Sequence, residues 1–167
     1  MNEDERKRFN HFLRRGSAYL REGKPDEALR LLKKAHKMDP DDFDVSLNLS
    51  GAYILTKQFK EAVPILEQLS EEHPENVMVW TNLGAAYLGN PILAQDEQQQ
   101  LAITAFTKAY ELNPATPNVA YNLGLVYRDR KEVDTAVTWF KRALQANPND
   151  RDARHLIEQL ENKQQAS

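Results

Sequence analysis

A unit of 34 residues recurs four times along this chain, and that recurrence limits the fold more than any other feature. Tyr19, Tyr53, Tyr87 and Tyr127 step by 34, 34 and 40 residues, as do Gly16, Ser50, Gly84 and Gly124. Ala28, Ala62, Ala102 and Ala136 step by 34, 40 and 34, and so do Pro40, Pro74, Pro114 and Pro148. Six extra residues therefore enter the third unit, between Tyr87 and Ala102. Self-similarity at such a period is the mark of a stacked array of like units.

Each unit carries two apolar periods of helical type. In the third, Trp80, Leu83, Gly84 and Tyr87 fall on one helix face, followed by Ala102, Ile103, Phe106, Ala109 and Tyr110 on another. The fourth repeats this with Ala120, Leu123, Gly124 and Tyr127, then Ala136, Val137, Phe140, Ala143 and Leu144. A Gly or Ser in the first helix and an Ala early in the second let two backbones approach closely. The prolines stand where each second helix must stop. The spacing predicts helices over 9–22, 25–38, 43–56, 59–72, 77–88, 96–112, 117–130 and 133–146. A ninth, over 151–163, has an apolar face of Ala153, Leu156, Ile157 and Leu160.

These landmarks resemble the tetratricopeptide repeat, whose Trp…Leu-Gly…Tyr…Ala…Phe…Pro pattern is a known signature. Trp80-Thr-Asn-Leu83-Gly84-Ala-Ala-Tyr87 and Tyr121-Asn-Leu123-Gly124-Leu-Val-Tyr127 carry the match, and it covers residues about 9–150. The resemblance implies an all-α, right-handed superhelical solenoid of antiparallel helix pairs. It divides residues 1–163 into repeats 9–42, 43–76, 77–116 and 117–150, a capping helix 151–163 and a frayed tail 164–167. Phe12, Ser46 and Ala120 stand where the third unit has Trp80. Ser50 replaces a Gly and Leu69 a small Ala, so looser packing is expected in the second unit. The last unit of a solenoid exposes an apolar face, and the ninth helix fits the role of covering it and ending the array. Pro64 falls inside a predicted helix, as a tolerated early-helix residue or as a bend.

Composition removes several function classes. There is no Cys, which excludes disulfides, thiolate metal sites and a cysteine nucleophile. Lys and Arg number 22 against 25 Asp and Glu, which argues against a generic nucleic-acid binder. His11, His36, His73 and His155 lie in different units without metal-ligand spacing, and no phosphate-loop or nucleophile-elbow motif is present. Glu71-Glu72 reads as a solvated pair near a helix end. No enzyme activity, metal or cofactor is expected. Neither a secretory signal nor a stretch of about 18 apolar residues is visible, so a cytoplasmic chain without membrane insertion is expected.

The resemblance implies that the first helix of each unit lines a concave groove, through residues beside the core stripe. Asn48, Asn82 and Asn122 occupy one such place in three successive units, two residues before the Ser or Gly. A primary amide donates and accepts at once, so a row of them suits the backbone of an extended peptide. The same row equally suits bonds to a neighbouring repeat. Leu13, Leu20, Leu47, Ile54, Met78, Leu88, Tyr121 and Leu125 would give the groove an apolar floor, unless several are core. Arg14, Arg21 and Arg128 add positive charge towards its two ends, partly offset by Asp44 and Asp129. A subfamily clamps chaperone tails through Lys in the first and third units. Here those places hold Leu13 and Met78, Asn82 stands in place of an Arg, and only Asn48 matches.

The insertion brings Gly89-Asn-Pro-Ile92-Leu93-Ala94, and Asp96 is expected to cap the helix after it. Ile92 and Leu93 either fold back over the array or extend the groove lip. The sequence thus points to a module binding a protein or peptide. A self-assembling scaffold with head-to-tail groove contacts is the alternative, and a regulatory piece of a larger enzyme a third.

Overall fold

The computed structural model describes residues 1–89 and 94–165. The expectations for Ile92 and Leu93, and for residues 166–167 of the tail, lie outside the described residues. Nine helices and no strand form among those described: α1 (Glu3–Arg21), α2 (Pro25–Met38), α3 (Phe43–Leu55), α4 (Phe59–Glu72), α5 (Val77–Leu88), α6 (Asp96–Leu112), α7 (Val119–Asp129), α8 (Val133–Ala146) and α9 (Arg151–Gln165). Consecutive helices pack together throughout, and α1 also touches α3 and α3 touches α5. The chain is an all-α solenoid of helix pairs.

Within a pair, the small residue of the first helix sets how close the second can come. A Cβ built on Gly84 would lie 2.7 Å from the Phe106 ring, and one on Gly124 would lie 2.6 Å from the Phe140 ring. Gly16 stands under Leu32 in the same way, at 2.7 Å. Phe106, Phe140 and Leu32 are wholly buried as a result. In the second pair Ser50 stands where the others have Gly and Leu66 holds the register of Leu32, Phe106 and Phe140, and both are buried. The Ser50 hydroxyl donates to the Leu47 carbonyl at 2.8 Å, which satisfies it. Leu69, expected to loosen this unit, is itself buried.

Three first helices end alike. Gly23, Lys57 and Lys131 follow α1, α3 and α7 with φ of 69°, 60° and 63°. Their N–H groups bond Leu20, Ile54 and Arg128, and the next N–H in each case bonds the carbonyl of Tyr19, Tyr53 or Tyr127. This is the left-handed C-terminal stop that favours glycine. It turns the chain into the second helix, and two of the three copies use lysine there. Pro25 then opens α2 at a position where its missing N–H costs nothing.

Three helix starts depart from expectation, two in position and one in its cap. Helix α1 starts at Glu3, not near residue 9, because Asn2 and Glu5 form a reciprocal capping box. Asp96 does not cap α6. Gln95 holds the cap position without a side-chain bond, and Asp96 pairs with Arg130 of the next unit. Helix α7 starts at Val119, behind Asn118 in a left-handed conformation. Pro64 is the sixth residue of α4 and exposed, so the Lys60 carbonyl loses its helical donor to a place water reaches.

At the C-terminal end, Ala153, Ile157 and Leu160 of α9 are buried in the cluster that holds Phe140 and Trp139. At the N-terminal end the places of buried Val45, Leu49 and Ala52 are taken by His11, Arg15 and Ala18. One end is covered by a helix and the other is made polar.

Two outcomes are expected. Gly84→Ala lowers stability by about 1–3 kcal/mol through overpacking, and adding Phe106→Leu, the residue of the second pair, recovers part of it. Lys57→Gly and Lys131→Gly each add about 1 kcal/mol by relieving a left-handed backbone. Urea midpoints of the variants check both.

Candidate functional site

The residues beside the core stripe of α1, α3, α5 and α7 stand in register; α1 touches α3 and α3 touches α5, while α7 packs on α6 and α8. The apolar members of this set are mostly anchored. Leu13 packs on the Phe9 and Leu32 clusters, Leu47 and Ile54 on the Leu66 cluster, and Leu88, Tyr121 and Leu125 on the Phe106–Phe140 cluster. Each is half-buried, so it serves as a core edge and still presents surface. Met78 is different, with 60% of its surface exposed, and Leu55 beside this stripe is 59% exposed. Both are large apolar side chains held in water by rigid helices.

The three asparagines differ from one another. The Asn48 amide donates to the Asp44 carbonyl of its own helix at 2.7 Å, and its oxygen and second N–H have no partner among the described residues. The side chains of Asn82 and Asn122 are half-buried and make no hydrogen bond to the described residues. None of the three amides reaches a described residue of a neighbouring repeat. The charged ends also differ. Arg128 is held by Asp129 through two bonds, at 2.7 and 2.9 Å, so its charge is largely spent locally. Arg14 is exposed and has no ion pair among the described residues.

The structure brings Leu13, Arg14 and Asn48 together in one open cleft of about 780 Å³, along α1 and facing α3. Lys7, Arg15 and Arg21 line it as well, opposed by Asp44. Lys7 belongs to the first turns of α1, which sequence periodicity missed. The spacing of Asn2 and Glu5 was the signal that could have found it. Ile54, Met78, Leu88, Tyr121, Leu125, Asn82, Asn122 and Arg128 lie outside that cleft.

Tyr121 is the titratable member whose environment changes it most. Its ring lies 5.6 Å from that of Phe140. Burial raises its phenol above the ordinary tyrosine range, Asp152 and Asp150 add to the rise, and Arg128 opposes it. Among the described residues no group of three or more His, Asp or Glu is placed to hold a metal. His36 lies 3.4 Å from the Ser46 hydroxyl, and His73 stands edge-on to Phe43. Glu72 accepts from Gln68, while Glu71 is exposed. No described helix is long and apolar enough to cross a membrane.

Models of the tetratricopeptide repeat match residues 19–88 and 91–151. No protein of curated function matches the sequence. Among solved structures, a mutant of MamA is 29% identical with a TM-score of 0.75, over 98% of this chain and 90% of that one. MamA of Desulfovibrio magneticus RS-1, from its residue 41 to the end, is 25% identical with a TM-score of 0.73, over 86% and 77%. A thermophilic tetratricopeptide repeat protein of Thermus thermophilus is 24% identical over 91% and 80%, and its TM-score of 0.76 speaks for the fold alone.

The raised Tyr121 phenol has a consequence at high pH. The unfolded chain ionises this tyrosine near pH 10 and the folded chain only above that. Its contribution to stability is therefore complete below about pH 10 and lost as pH rises through the folded value. Unfolding midpoints measured up the alkaline range should fall less steeply in Tyr121→Phe than in the wild type. Parallel curves would place Tyr121 in an ordinary, water-like setting.

Proposed function

The chain belongs to the tetratricopeptide repeat family, and from that premise we propose that it holds an extended peptide, or a partner helix, on the face formed by α1, α3, α5 and α7. The family is generally one of non-catalytic protein-interaction modules, and residues 1–163 act here as one such domain. The observation that carries the reading is the state of the face itself. It presents an open cleft, two exposed apolar side chains, and two amides without a partner among the described residues. Half-buried amides are reached by water, which the backbone of a ligand can replace bond for bond. Asn82 and Asn122, with the oxygen of Asn48, bond the backbone of the ligand. Leu47, Ile54, Met78, Leu88, Tyr121 and Leu125 take its apolar side chains, while Leu13 and Arg14 receive its end in the cleft. Affinity is modest if the ligand orders as it docks.

A second reading rests on charge. Residues 1–37 hold eleven Lys and Arg against six Asp and Glu, and residues 38–76 hold two against nine. Opposite fields on successive units favour a head-to-tail contact between copies, and such a contact builds rings or filaments.

One experiment addresses both. Selection from a random peptide library on the immobilised protein should return ligands with alternating apolar residues. A variant carrying Asn48→Ala, Asn82→Ala and Asn122→Ala should bind them on the order of a hundredfold more weakly, at about 1 kcal/mol per lost bond. Equal binding by a variant with an unchanged melting curve would remove the amides from the site. Light scattering that shows mass rising with concentration, and falling again with salt, would favour the scaffold.

A further inference from the structure

The repeat makes each junction between units a control for the others. At the junction of the first and second units, Ile65 packs with Leu49 and Tyr53. The Lys33 ammonium there lies 5.1 Å from the centre of the Tyr53 ring. At the junction of the third and fourth, Trp139 takes the register of Ile65 and stands edge-on to Tyr110 at 5.0 Å. The Arg142 guanidinium lies 4.4 Å over Trp139. Both junctions thus combine a bulky filler with an aromatic ring under a cation from this chain.

The middle junction has neither part. Ala105 stands in the register of Ile65 and Trp139, and Glu67 in that of Lys33. The small side chain leaves a notch of about 340 Å³ between α4 and α6, with Trp80 and Tyr87 of α5 in its lining. Glu67 accepts the Tyr87 hydroxyl at 2.7 Å, and Glu71, one turn further on, lines the same notch. Among the described residues no Lys or Arg does. Leu101 forms the rim with 40% of its surface exposed, where the other units have Glu27, Glu61 and Thr135. Two changes of charge or polarity and one of volume therefore coincide at one place.

We propose that this notch binds an arginine side chain of a protein partner. The stem of the side chain lies on Leu101, and the planar cation lies against Trp80 and Tyr87, as Arg142 lies over Trp139 one junction later. Glu67 and Glu71, spaced one helical turn apart, supply the counter-charge. A lysine lacks the plane and the fork. The notch uses the stripe of α5 that faces α4 and α6, whereas Asn82 belongs to the other face. The protein therefore offers two separate surfaces, and an occupant of one leaves the other open.

The two tryptophans of the chain make the test direct. Each gives one indole N–H signal, and Trp139 already lies under Arg142. The labelled protein is titrated with N-acetyl-arginine methylamide, with its citrulline counterpart, which keeps the shape and lacks the charge, and with its lysine counterpart. The Trp80 signal, assigned through Trp80→Phe, should move and saturate with arginine at least tenfold more tightly than with citrulline, while that of Trp139 stays. Glu67→Gln with Glu71→Gln should weaken arginine about tenfold. Ala105→Trp, which borrows the filler of the next unit, should abolish the shift. A still Trp80 signal, equal binding by citrulline, or full binding by the doubly neutralised variant would overturn the site. Equal binding by lysine would overturn its assignment to arginine.

Discussion

The distance between the two helices of a pair is fixed by one contact, a residue with little or no side chain beneath a large apolar one. Gly84 under Phe106 and Gly124 under Phe140 leave no room for a Cβ. Close approach lets the facing alanines, such as Ala102 and Ala136, bury completely, and it aims the first helix's remaining faces outward. The second pair has Ser50 in place of the glycine, and Ser50, Leu66 and Leu69 are all buried there.

Because that contact repeats, positions outside it and the recurring Ala, Tyr and Pro can vary without disturbing the stack. The chain uses this freedom unevenly. The left-handed stop after the first helix is kept in three units but given to lysine in two, a local cost borne for an identical turn. The third unit has no such stop; Gly89 follows α5 with φ 54° and ψ −120°, and the six extra residues enter after Tyr87. The outer junctions are filled by Ile65 and by Trp139 but not at Ala105. In a solenoid each unit touches only its neighbours, so such variation stays local in energy while changing the surface.

Most of the fold was legible in the sequence. Landmarks at a fixed period implied eight helices and an apolar face a ninth, and α2, α4, α5, α6 and α8 fall on the expected boundaries. The failures lie where the period has no partner. The extra turns of α1 precede the first repeat, so only the Asn2–Glu5 cap marks them. Asp96 looked like a cap because such a residue before a helix usually is one, but Arg130 offers a full charge 34 residues away. Along the candidate site, register alone put Asn48, Asn82 and Asn122 in equivalent places. It could not say that Asn48 would turn back onto Asp44 while the other two would not.

The sequence by itself determined the unit, its number, the helix pairs and the small-to-large contact between them, because these follow from spacing along one strand of chain. It also determined which residues stand in register. The tertiary structure alone decided which of those equivalent residues still have work to do. Arg14 and Arg128 read alike, yet Asp129 neutralises one and nothing described neutralises the other. Lys33 and Glu67 share a place, yet one covers a ring and the other flanks a notch. Such differences depend on what a neighbouring unit brings within a few ångströms, and that distance is set only when the units are stacked.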